Sequence, residues 1–501
     1  MQWIPCHASS SLPSNSISKN LINLKDMSTK LRIIILVALS ALPFFGCEVE
    51  NPNVTEDAYI ETPKAAATWI NGMRRQATLM MGRYMELTEL ISDNYFNNRT
   101  LSSKVFDIPL IGYTDPDVRT LQREVSRLLE MGEYGTQRVV PNDVTATNAD
   151  KAEISYWKGF AHLIMGEFFT GLPIAANQAA ANSQPHFQLA INDFNQALSL
   201  DPAPAKQLLF RLGLARVYHR LGDKANAITQ CNAVITGNPL FLEQLRCDGL
   251  NGVRNEFQFY LFDSSFNEFA PLPRLDFLDP KYFSVGTATL DQKPVTIAKG
   301  EEAYLILAEA QLSNNQLDAA KTSLKSLLTN VIAKRPVVEI DDVREKRAGG
   351  VRTDYPLSDT VRVKFSADEP EIRGLILNRQ KGKVKVGQIS GTSVTEAQIN
   401  NATSVDALLE LVYLMRQEIF IAEARRAVDL GIKLPVSDVE LLNNSKVGQD
   451  FIQAQIPSFI PDKSGLDDFT YDRAKGVATM RFNMNKILVA NKTSPLVLPF
   501  H

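Results

Sequence analysis

The sequence contains few of the residues that common catalytic and metal centres require. Its 501 residues include five histidines and three tryptophans, which leaves little material for a histidine-rich metal centre. No HExxH, CxxC, GxSxG, GxGxxG or GxxxxGKS/T spacing occurs in a usable context. The composition therefore argues against the common catalytic chemistries, and we predict no metal, no cofactor and no catalytic residue.

Cysteine and net charge are also low. Of the four cysteines, only Cys231 and Cys247 lie outside the N-terminal fifty residues, and they could either pair or remain buried free thiols. The formal net charge is −3 and the isoelectric point is near 6.1, which argues against a nucleic-acid-binding protein. Hydrophobic residues make up 45% of the chain and charged residues 22%, which is the composition of a globular protein with a substantial core.

Residues 27–47 have the features of an export signal. Two basic residues precede a run of 13 mostly apolar residues, Ile33–Phe45. A membrane-spanning helix needs about 20 apolar residues, so this segment predicts a secretory signal peptide. Gly46 and Cys47 follow the apolar run directly, and this ending resembles the lipobox of bacterial lipoproteins. We therefore predict acylation at Cys47, with a plain secreted protein as the alternative.

The chain is expected to divide into a leader, a tether and one folded body. Residues 1–46 form the upstream segment and signal peptide, with translation starting at Met27. Residues 47–60 are polar and form a lipid-anchored tether. Residues 61–501 are expected to form a single domain.

Helical periodicity dominates this domain. Apolar residues recur on one face over 61–81, 151–169 and 405–430, so each segment is predicted to form a long helix. The charged residues of the last helix are predicted to form a solvated or salt-bridged face. Long insertions with little periodicity separate the helices, at about 92–145, 240–299, 335–400 and 433–501.

Two segments share a spacing that is typical of tetratricopeptide-like helix pairs. Each places an alanine 13 residues after a leucine, namely Leu214 and Ala227 in one and Leu307 and Ala320 in the other. Small residues at such positions allow two helices to cross closely. We predict an all-α (mainly α) fold, in which tetratricopeptide-like helix pairs at about 151–239 and 300–333 form a superhelical scaffold. The long irregular loop insertions would carry the binding surface.

One insertion holds a cluster of aromatic and polar residues that could bind a ligand. The candidates are Tyr95, Phe96, Asn97, Asn98, Arg99 and, near them in sequence, Tyr113. Aromatic rings can stack on sugars or on peptide side chains, while Asn and Arg supply hydrogen bonds. The alternative is that these aromatics pack loops against helices. Only two tryptophans, Trp69 and Trp157, follow the leader, which weakens a stacking-dominated polysaccharide site and leaves an oligosaccharide or a peptide open.

Several motifs together resemble the SusD/RagB family of outer-membrane nutrient-binding lipoproteins of the Bacteroidetes. They are the lipobox cysteine with CEVENPN, the segment EEAYLILAEAQLSNNQLDAAKTSL, and RQEIFIAEARRAVDL. The family commonly has R-x-E-L followed by E-G-x-R-x-x-D-L, and five charged residues correspond to it here: Arg416, Glu418, Glu423, Arg426 and Asp429. Two departures are Ala424, where glycine is usual, and one extra residue between the two glutamates.

The resemblance implies a role in nutrient uptake. Such proteins are anchored by a lipid on the exterior of the outer membrane and cap a SusC-like TonB-dependent transporter. They bind a glycan or a peptide and deliver it to the transporter without cleaving it. The partners implied for this chain are therefore that transporter, the ligand and the membrane, with no nucleic acid and no cofactor.

Two other functions remain open from the sequence. The first is a periplasm-facing, tetratricopeptide-like scaffold lipoprotein that binds partner proteins. The second is a helical glycosidase that uses two carboxylates, for which Asp276 with Asp279, or Asp341 with Asp342, are available.

Overall fold

Helices dominate the part of the chain that the computed structural model describes. The described residues are 60, 62–99, 104–263, 267–283, 289–342, 350–461 and 465–501. The predicted signal peptide and Cys47 lie outside them. Among the described helices, none is both long enough and apolar enough to span a membrane.

The described helices are numbered here in chain order. They are α1 Ala65–Leu90, α2 Lys104–Asp107, α3 Pro116–Tyr134, α4 Val140–Asn142, α5 Asn148–Phe168, α6 Ser183–Leu200, α7 Pro204–Arg220, α8 Lys224–Gly237, α9 Glu256–Gln258, α10 Glu301–Ser313, α11 Leu317–Asn330, α12 Glu396–Asn401, α13 Val405–Ile419, α14 Arg426–Asp429, α15 Asp438–Asn443 and α16 Met484–Ala490.

The described strands are short and form small sheets. They are β1 Tyr95–Asn97, β2 Leu172–Pro173, β3 Ala180–Ala181, β4 Leu242–Leu245, β5 Phe269–Pro271, β6 Val295–Lys299, β7 Val337–Ile340, β8 Arg362–Lys364, β9 Val384–Gly387, β10 Phe469–Asp472 and β11 Val477–Met480. The pairs β1–β5, β2–β3, β4–β6 and β7–β9 are antiparallel. A three-stranded sheet has the order β10-β11-β8, with β11 and β8 parallel.

The long helices pack in sequential pairs. Helix α5 packs on α6, α7 on α8, and α10 on α11, while contacts of α6 with α7 and of α8 with α10 join the pairs into a stack. Leu214, Ala227 and Ala320 are buried in this stack, as the repeat spacing predicts. The chain is therefore mainly α with tetratricopeptide-like helix pairs, and the predicted fold class is confirmed.

Small residues let three of these helices approach closely around one aromatic ring. A Cβ atom at Gly159 of α5 would lie 2.9 Å from the ring of Phe194 on α6. A Cβ atom at Gly213 of α7 would lie 3.0 Å from the same ring. Phe194 is fully buried between the two glycines, so α5, α6 and α7 pack at a distance that only small residues allow.

One long helix lies in a segment that the sequence reading treated as irregular. Helix α3 falls within the predicted insertion 92–145. Asp115 caps it, because its side chain accepts a hydrogen bond from the backbone N–H of Asp117 at 2.8 Å. Its buried apolar residues recur at helical spacing, and those with no exposed surface include Val118, Leu121, Val125 and Leu128. The stripe was overlooked because charged residues fill the remaining positions.

The predicted helix over 405–430 is wrong in its second half. Helix α13 ends at Ile419, and Ala422 and Ala424 adopt left-handed backbone conformations with φ of 55° and 59°. The carbonyl of Ile419 accepts a hydrogen bond from the buried Lys299 Nζ at 2.6 Å and not from a following helical N–H. Tertiary contacts therefore end the helix where local propensity would extend it. The left-handed φ of Ala424 also explains why glycine suits this position.

Charged residues of this segment form buried ion pairs, so the salt-bridged alternative applies and the solvated one does not. The pairs are Arg416 with Asp429 at 2.9 Å, Arg425 with Glu302 at 3.1 Å, Arg426 with Asp93 at 2.5 Å, and Glu423 with Lys281 at 2.7 Å and Lys299 at 2.8 Å. Their partners come from α10, from the segments after α1 and before β6, and from β6 itself. The pairs therefore connect the helical stack to the C-terminal half of the chain.

The two described cysteines carry free thiols. Cys231 is buried in α8, and Cys247 is half-buried after β4. Burial raises the pKa of both thiols, that of Cys247 to about 12. Neither thiol is therefore a reactive thiolate at neutral pH.

Candidate ligand-binding groove

The structure buries most of the predicted binding cluster. Tyr95 and Asn98 have no exposed surface, and Phe96 and Asn97 are also buried, while Arg99 is half-buried. The first three of the five residues in this run form β1, which pairs with β5. The Tyr95 hydroxyl lies 3.1 Å from Asp279 Oδ1, to which it donates a hydrogen bond. These surroundings match the packing role given above as the alternative, and ligand binding by this cluster stays a prediction.

The sixth predicted binding residue contacts another part of the chain. Tyr113 is 37% exposed, and its backbone carbonyl accepts a hydrogen bond from the N–H of Asp438 at 2.9 Å. Asp438 begins helix α15, so Tyr113 lies beside that helix. A role of Tyr113 in binding also stays a prediction.

The carboxylates considered for a glycosidase are mostly buried and ion-paired. Arg379 contacts Asp276 at 2.8 Å and Asp279 at 3.1 Å, and both aspartates are 1% exposed. Asp342 is also buried, and Asp341 is exposed. Within the described ranges, no cluster of three or more His, Cys, Asp or Glu side chains could hold a metal ion. Asp276 and Asp279 therefore hold Arg379 in a buried ion-pair cluster.

A polar groove lies along one face of α1. Its main part is a cleft of about 480 Å³ between α1, the start of α7, and the segment from β4 to Val253, with α5 beneath. A smaller cleft of about 180 Å³ continues it, and these two clefts share the lining residues Thr78 and Val253. Along α1 the lining runs from Asn71 to Arg83, a distance of about 18 Å at about 1.5 Å per residue. We call these two connected clefts the α1 groove.

The wall opposite α1 is a turn that closes on itself. Asp248 Oδ1 accepts hydrogen bonds from the backbone N–H groups of Leu250 at 2.8 Å and Asn251 at 3.0 Å. The N–H of Asp248 donates to the carbonyl of Val253 at 2.9 Å. Aspartate commonly stabilises turns in this way, so the wall has a defined conformation without regular secondary structure.

The floor of the groove holds an ion-pair network. Arg74 donates two hydrogen bonds to Glu153, from Nε to Oε1 at 2.6 Å and from Nη2 to Oε2 at 2.7 Å. Lys206 Nζ lies 3.8 Å from the carboxylates of both Glu153 and Glu243. Burial would raise the pKa of Glu153, but the Arg74 hydrogen bond and the Lys206 charge outweigh it and hold that pKa below its ordinary value. Trp157 packs beneath, and its indole Nε1 donates to Glu153 at 3.3 Å.

Glu243 differs from Glu153 because it lacks a close arginine. Burial raises the pKa of its carboxyl group, and Lys206 offsets this only in part. The nearby charge of Glu153 raises the pKa of Glu243 further. The groove therefore holds one firmly ionised carboxylate and one that is easier to protonate.

Two arginines at the rim are not engaged. Arg75 on α1 and Arg246 after β4 are both exposed and both line the larger cleft. Within the part of the chain that the structure describes, neither guanidinium has an ion-pair or hydrogen-bond partner. They present donors to whatever occupies the groove.

A second cleft, of about 430 Å³, lies between α3 and α15. Arg119, Arg123 and Arg127 line it at four-residue spacing on α3. Arg119 pairs with Asp438 at 2.7 Å, and Gln122 contacts Glu440 at 3.2 Å, so much of its polar surface is already engaged. The α1 groove has exposed arginines on two different segments without a hydrogen-bond partner among the described residues, and we take it as the candidate site.

The sequence reading did not identify this groove. Its lining residues are separated by up to 185 positions, from Asn71 to Glu256, so no spacing motif connects them. The available signal was the polar stripe Asn71, Arg74, Arg75 and Thr78, which recurs on one face of an otherwise apolar helix. That stripe indicates a face that does not pack into the core, but it does not say what lies opposite.

Comparison with known proteins shows the fold. No protein-family model and no curated protein matches the sequence. Among solved structures, a SusD-like protein from Bacteroides fragilis is 10% identical with a TM-score of 0.52, over 79% of this chain and 98% of that one. A SusD superfamily protein from Bacteroides thetaiotaomicron is 12% identical with a TM-score of 0.52, over 77% and 98%. A protein described as a putative sugar binding protein from Bacteroides vulgatus is 12% identical with a TM-score of 0.50, over 79% and 98%.

The chain thus has the fold of SusD superfamily proteins. The resemblance that the sequence motifs predicted is confirmed at the level of the fold. What these proteins bind is a property of theirs, and its extension to this chain is a proposal.

Proposed function

We propose that this protein is a SusD-like, surface-exposed outer-membrane lipoprotein that binds a nutrient glycan and passes it, unaltered, to a SusC-like TonB-dependent transporter. The observation that carries the proposal is a SusD-like helical stack that holds an open polar groove. The lipobox-like ending at Cys47 supports the lipid anchor, and a similar fold in a protein described as sugar-binding supports a glycan over a peptide.

Several features of the α1 groove suit a ligand of several linked units. The groove is open along about 18 Å of α1. Its free groups are guanidinium and amide donors, which suit hydroxyl-rich and acceptor-rich ligands. A rigid helical stack supports it, so little conformational entropy needs to be lost on binding.

The proposed role is binding without catalysis, and three of the acidic side chains considered above are held by arginines. Asp276 and Asp279 are held by Arg379, and Glu153 in the groove is held by Arg74. A general acid or base needs to reach its substrate and to exchange a proton with it. Delivery of an intact ligand requires only capture and release, and an acylated anchor keeps the bound ligand near its transporter at high effective concentration.

The anchor is tested by Cys47→Ala. The variant is expected to leave the membrane fraction, because it loses the acyl chains that hold the protein to the bilayer. Membrane retention of the unacylated variant would contradict the anchor. Protease treatment of intact cells separates the two orientations, since only a surface-exposed protein is cleaved and a periplasm-facing scaffold is spared.

The site and partner are tested on the full-length protein in mild detergent. We expect binding on a glycan array and co-purification with a large β-barrel protein. Asn251→Trp should block the α1 groove and abolish glycan binding. Arg127→Trp, in the second cleft between α3 and α15, should leave glycan binding intact. Binding to no glycan would refute the proposed function, and the reverse effect of the two variants would move the site to the second cleft.

A further inference from the structure

The carboxylates of the α1 groove are already engaged by the protein. Arg74 takes both oxygens of Glu153, and Lys206 lies 3.8 Å from Glu243. Asp248 accepts two backbone hydrogen bonds within its own turn. These three are the acidic side chains that line the larger cleft. A ligand therefore meets carboxylates that already have ion-pair or hydrogen-bond partners within the protein.

The donors of the groove are not engaged in the same way. Arg75 and Arg246 are exposed on opposite walls, and neither has an ion-pair partner among the described residues. Asn71 accepts a hydrogen bond from Arg74 through its side-chain oxygen at 3.0 Å, which leaves the amide N–H groups available. The groove therefore offers two exposed guanidinium groups and an amide as donors, and the charge of Arg246 also helps to lower the pKa of the neighbouring Asp248.

We propose that the α1 groove selects acidic oligosaccharides, in which uronic-acid carboxylates bind Arg75 and Arg246 and ring hydroxyls bind the amide groups between them. This inference rests on the proposed glycan-binding function and names the class of glycan. Arginine suits a carboxylate because its planar guanidinium donates two parallel hydrogen bonds to the two oxygens.

The balance of donors and acceptors favours a saccharide over an acidic peptide. An extended peptide brings a backbone N–H donor at nearly every residue, and each such donor must find an acceptor when it is buried. The acceptors of the groove are largely used by Arg74, by Lys206 and by the turn at Asp248. The hydroxyls of a uronic-acid chain accept as well as donate, so they can turn toward the arginine and amide donors, and its carboxylates match the exposed guanidinium groups.

The experiment uses the full-length protein in mild detergent and isothermal titration calorimetry. The probes are tetrasaccharides of galacturonate, mannuronate and guluronate, each with its carboxyl-reduced neutral counterpart, and hexaglutamate as the peptide. We expect at least one uronate tetrasaccharide to bind at least about tenfold more tightly than its reduced counterpart. Its affinity should fall when salt is raised from about 0.1 M to about 1 M, because the Debye length shortens from about 10 Å to about 3 Å.

Two variants and one matched control locate the effect. Arg75→Gln and Arg246→Gln should each weaken uronate binding about fivefold to tenfold, since each removes one charge-assisted contact. Arg373→Gln removes an exposed arginine that also lacks a partner among the described residues but lies outside the groove, and it should bind as the wild type does. All three changes are on the surface, and circular dichroism verifies their folding.

The outcomes separate the two levels of the argument. Tight binding of neutral glycans with no uronate preference would overturn the acidic-ligand inference and leave the proposed function standing. The acidic-ligand inference would also be overturned if Arg373→Gln lost as much uronate affinity as the groove variants, or if the two groove variants lost none. Binding of hexaglutamate in place of every saccharide would overturn it as well. Failure to bind any saccharide, charged or neutral, would refute the proposed function itself and the inference with it.

Discussion

Glu302 is a buried group whose ionised form the structure stabilises strongly. It lies in the first turn of α10 and is 2% exposed. Arg425 donates hydrogen bonds to the two carboxylate oxygens of Glu302, from Nε at 3.1 Å and from Nη2 at 3.2 Å. Burial would raise the pKa of Glu302, but the charges of Arg425 and Arg216 outweigh it and lower that pKa to about 2. We therefore expect Glu302→Gln to destabilise the fold strongly.

The expected size follows from the pKa. A fall from the ordinary value of 4.5 to about 2 corresponds to about 3 kcal/mol, at about 1.36 kcal/mol per pKa unit. Removal of one member of a buried ion pair independently costs about 3–5 kcal/mol, because the remaining charge is left without its partner. Both routes give a loss of roughly 3 kcal/mol in the free energy of unfolding at neutral pH.

The dependence on pH gives the sharper test. A lowered pKa in the folded state stabilises the fold above the unfolded pKa of 4.5, and this stabilisation is lost as the pH falls toward about 2. At pH 3.5, about 1 kcal/mol of this stabilisation should already be lost from the wild type. The difference between the wild type and Glu302→Gln should therefore shrink from about 3 kcal/mol near pH 7 to about 2 kcal/mol near pH 3.5. Urea unfolding followed by far-ultraviolet circular dichroism at these pH values measures it.

The control is an ion pair at the surface. Asp406 pairs with Lys492, and their side chains are 56% and 30% exposed, so Asp406→Asn should cost less than about 1 kcal/mol at neutral pH. A loss in Glu302→Gln no larger than that of the control would refute the reasoning. So would a difference from the wild type that stays constant between neutral pH and pH 3.5.

Two further predictions concern backbone packing, and urea unfolding measures both. Gly166→Ala should lower the free energy of unfolding by about 1–3 kcal/mol, because the new Cβ would lie 2.6 Å from the buried ring of Phe187. Gly448→Ala is the control and should be nearly neutral, because no atom lies closer than 3.9 Å to its new Cβ. Equal effects of the two variants would contradict the close packing at Gly166. Ala424→Gly should be nearly neutral, since relief of about 1–2 kcal/mol of left-handed strain offsets the lost methyl contact and the added chain entropy. Ala161→Gly, in the middle of α5, is the control and should lower the free energy of unfolding by about 1–2 kcal/mol. An equal loss in the two variants would show that the left-handed φ of Ala424 carries no strain.

Local sequence was sufficient where a stripe of apolar residues decided the structure. Helices α5, α6 and α10 and the small residues between paired helices follow from spacing alone, because one periodic face must be buried whatever it packs against. Helix α3 was missed although Val118 and Leu121 belong to such a stripe, since many charged residues conceal it. The C-terminal half of the segment 405–430 was predicted as helix because its break depends on Lys299, which lies over a hundred residues away in sequence.

The candidate site shows the opposite case. Tyr95 and Phe96 have the composition of a binding loop, but their burial in β1 depends on β5 and on the surrounding core. Arg75 and Arg246 carry no motif and become neighbours of one cleft only when α1 and the segment after β4 come together. Whether a polar residue binds a ligand, pairs internally or faces water is a property of its three-dimensional surroundings.

By itself, the sequence determined the mainly helical class and the paired-helix scaffold, since each follows from residue type and local periodicity. The tertiary structure alone decided where the last long helix breaks, which charges are buried as ion pairs, and where an open groove remains. The physical reason is that hydrophobic periodicity acts over a few helical turns. Desolvation, ion pairing and the shape of a cleft instead depend on groups that are distant in the chain and adjacent only after folding.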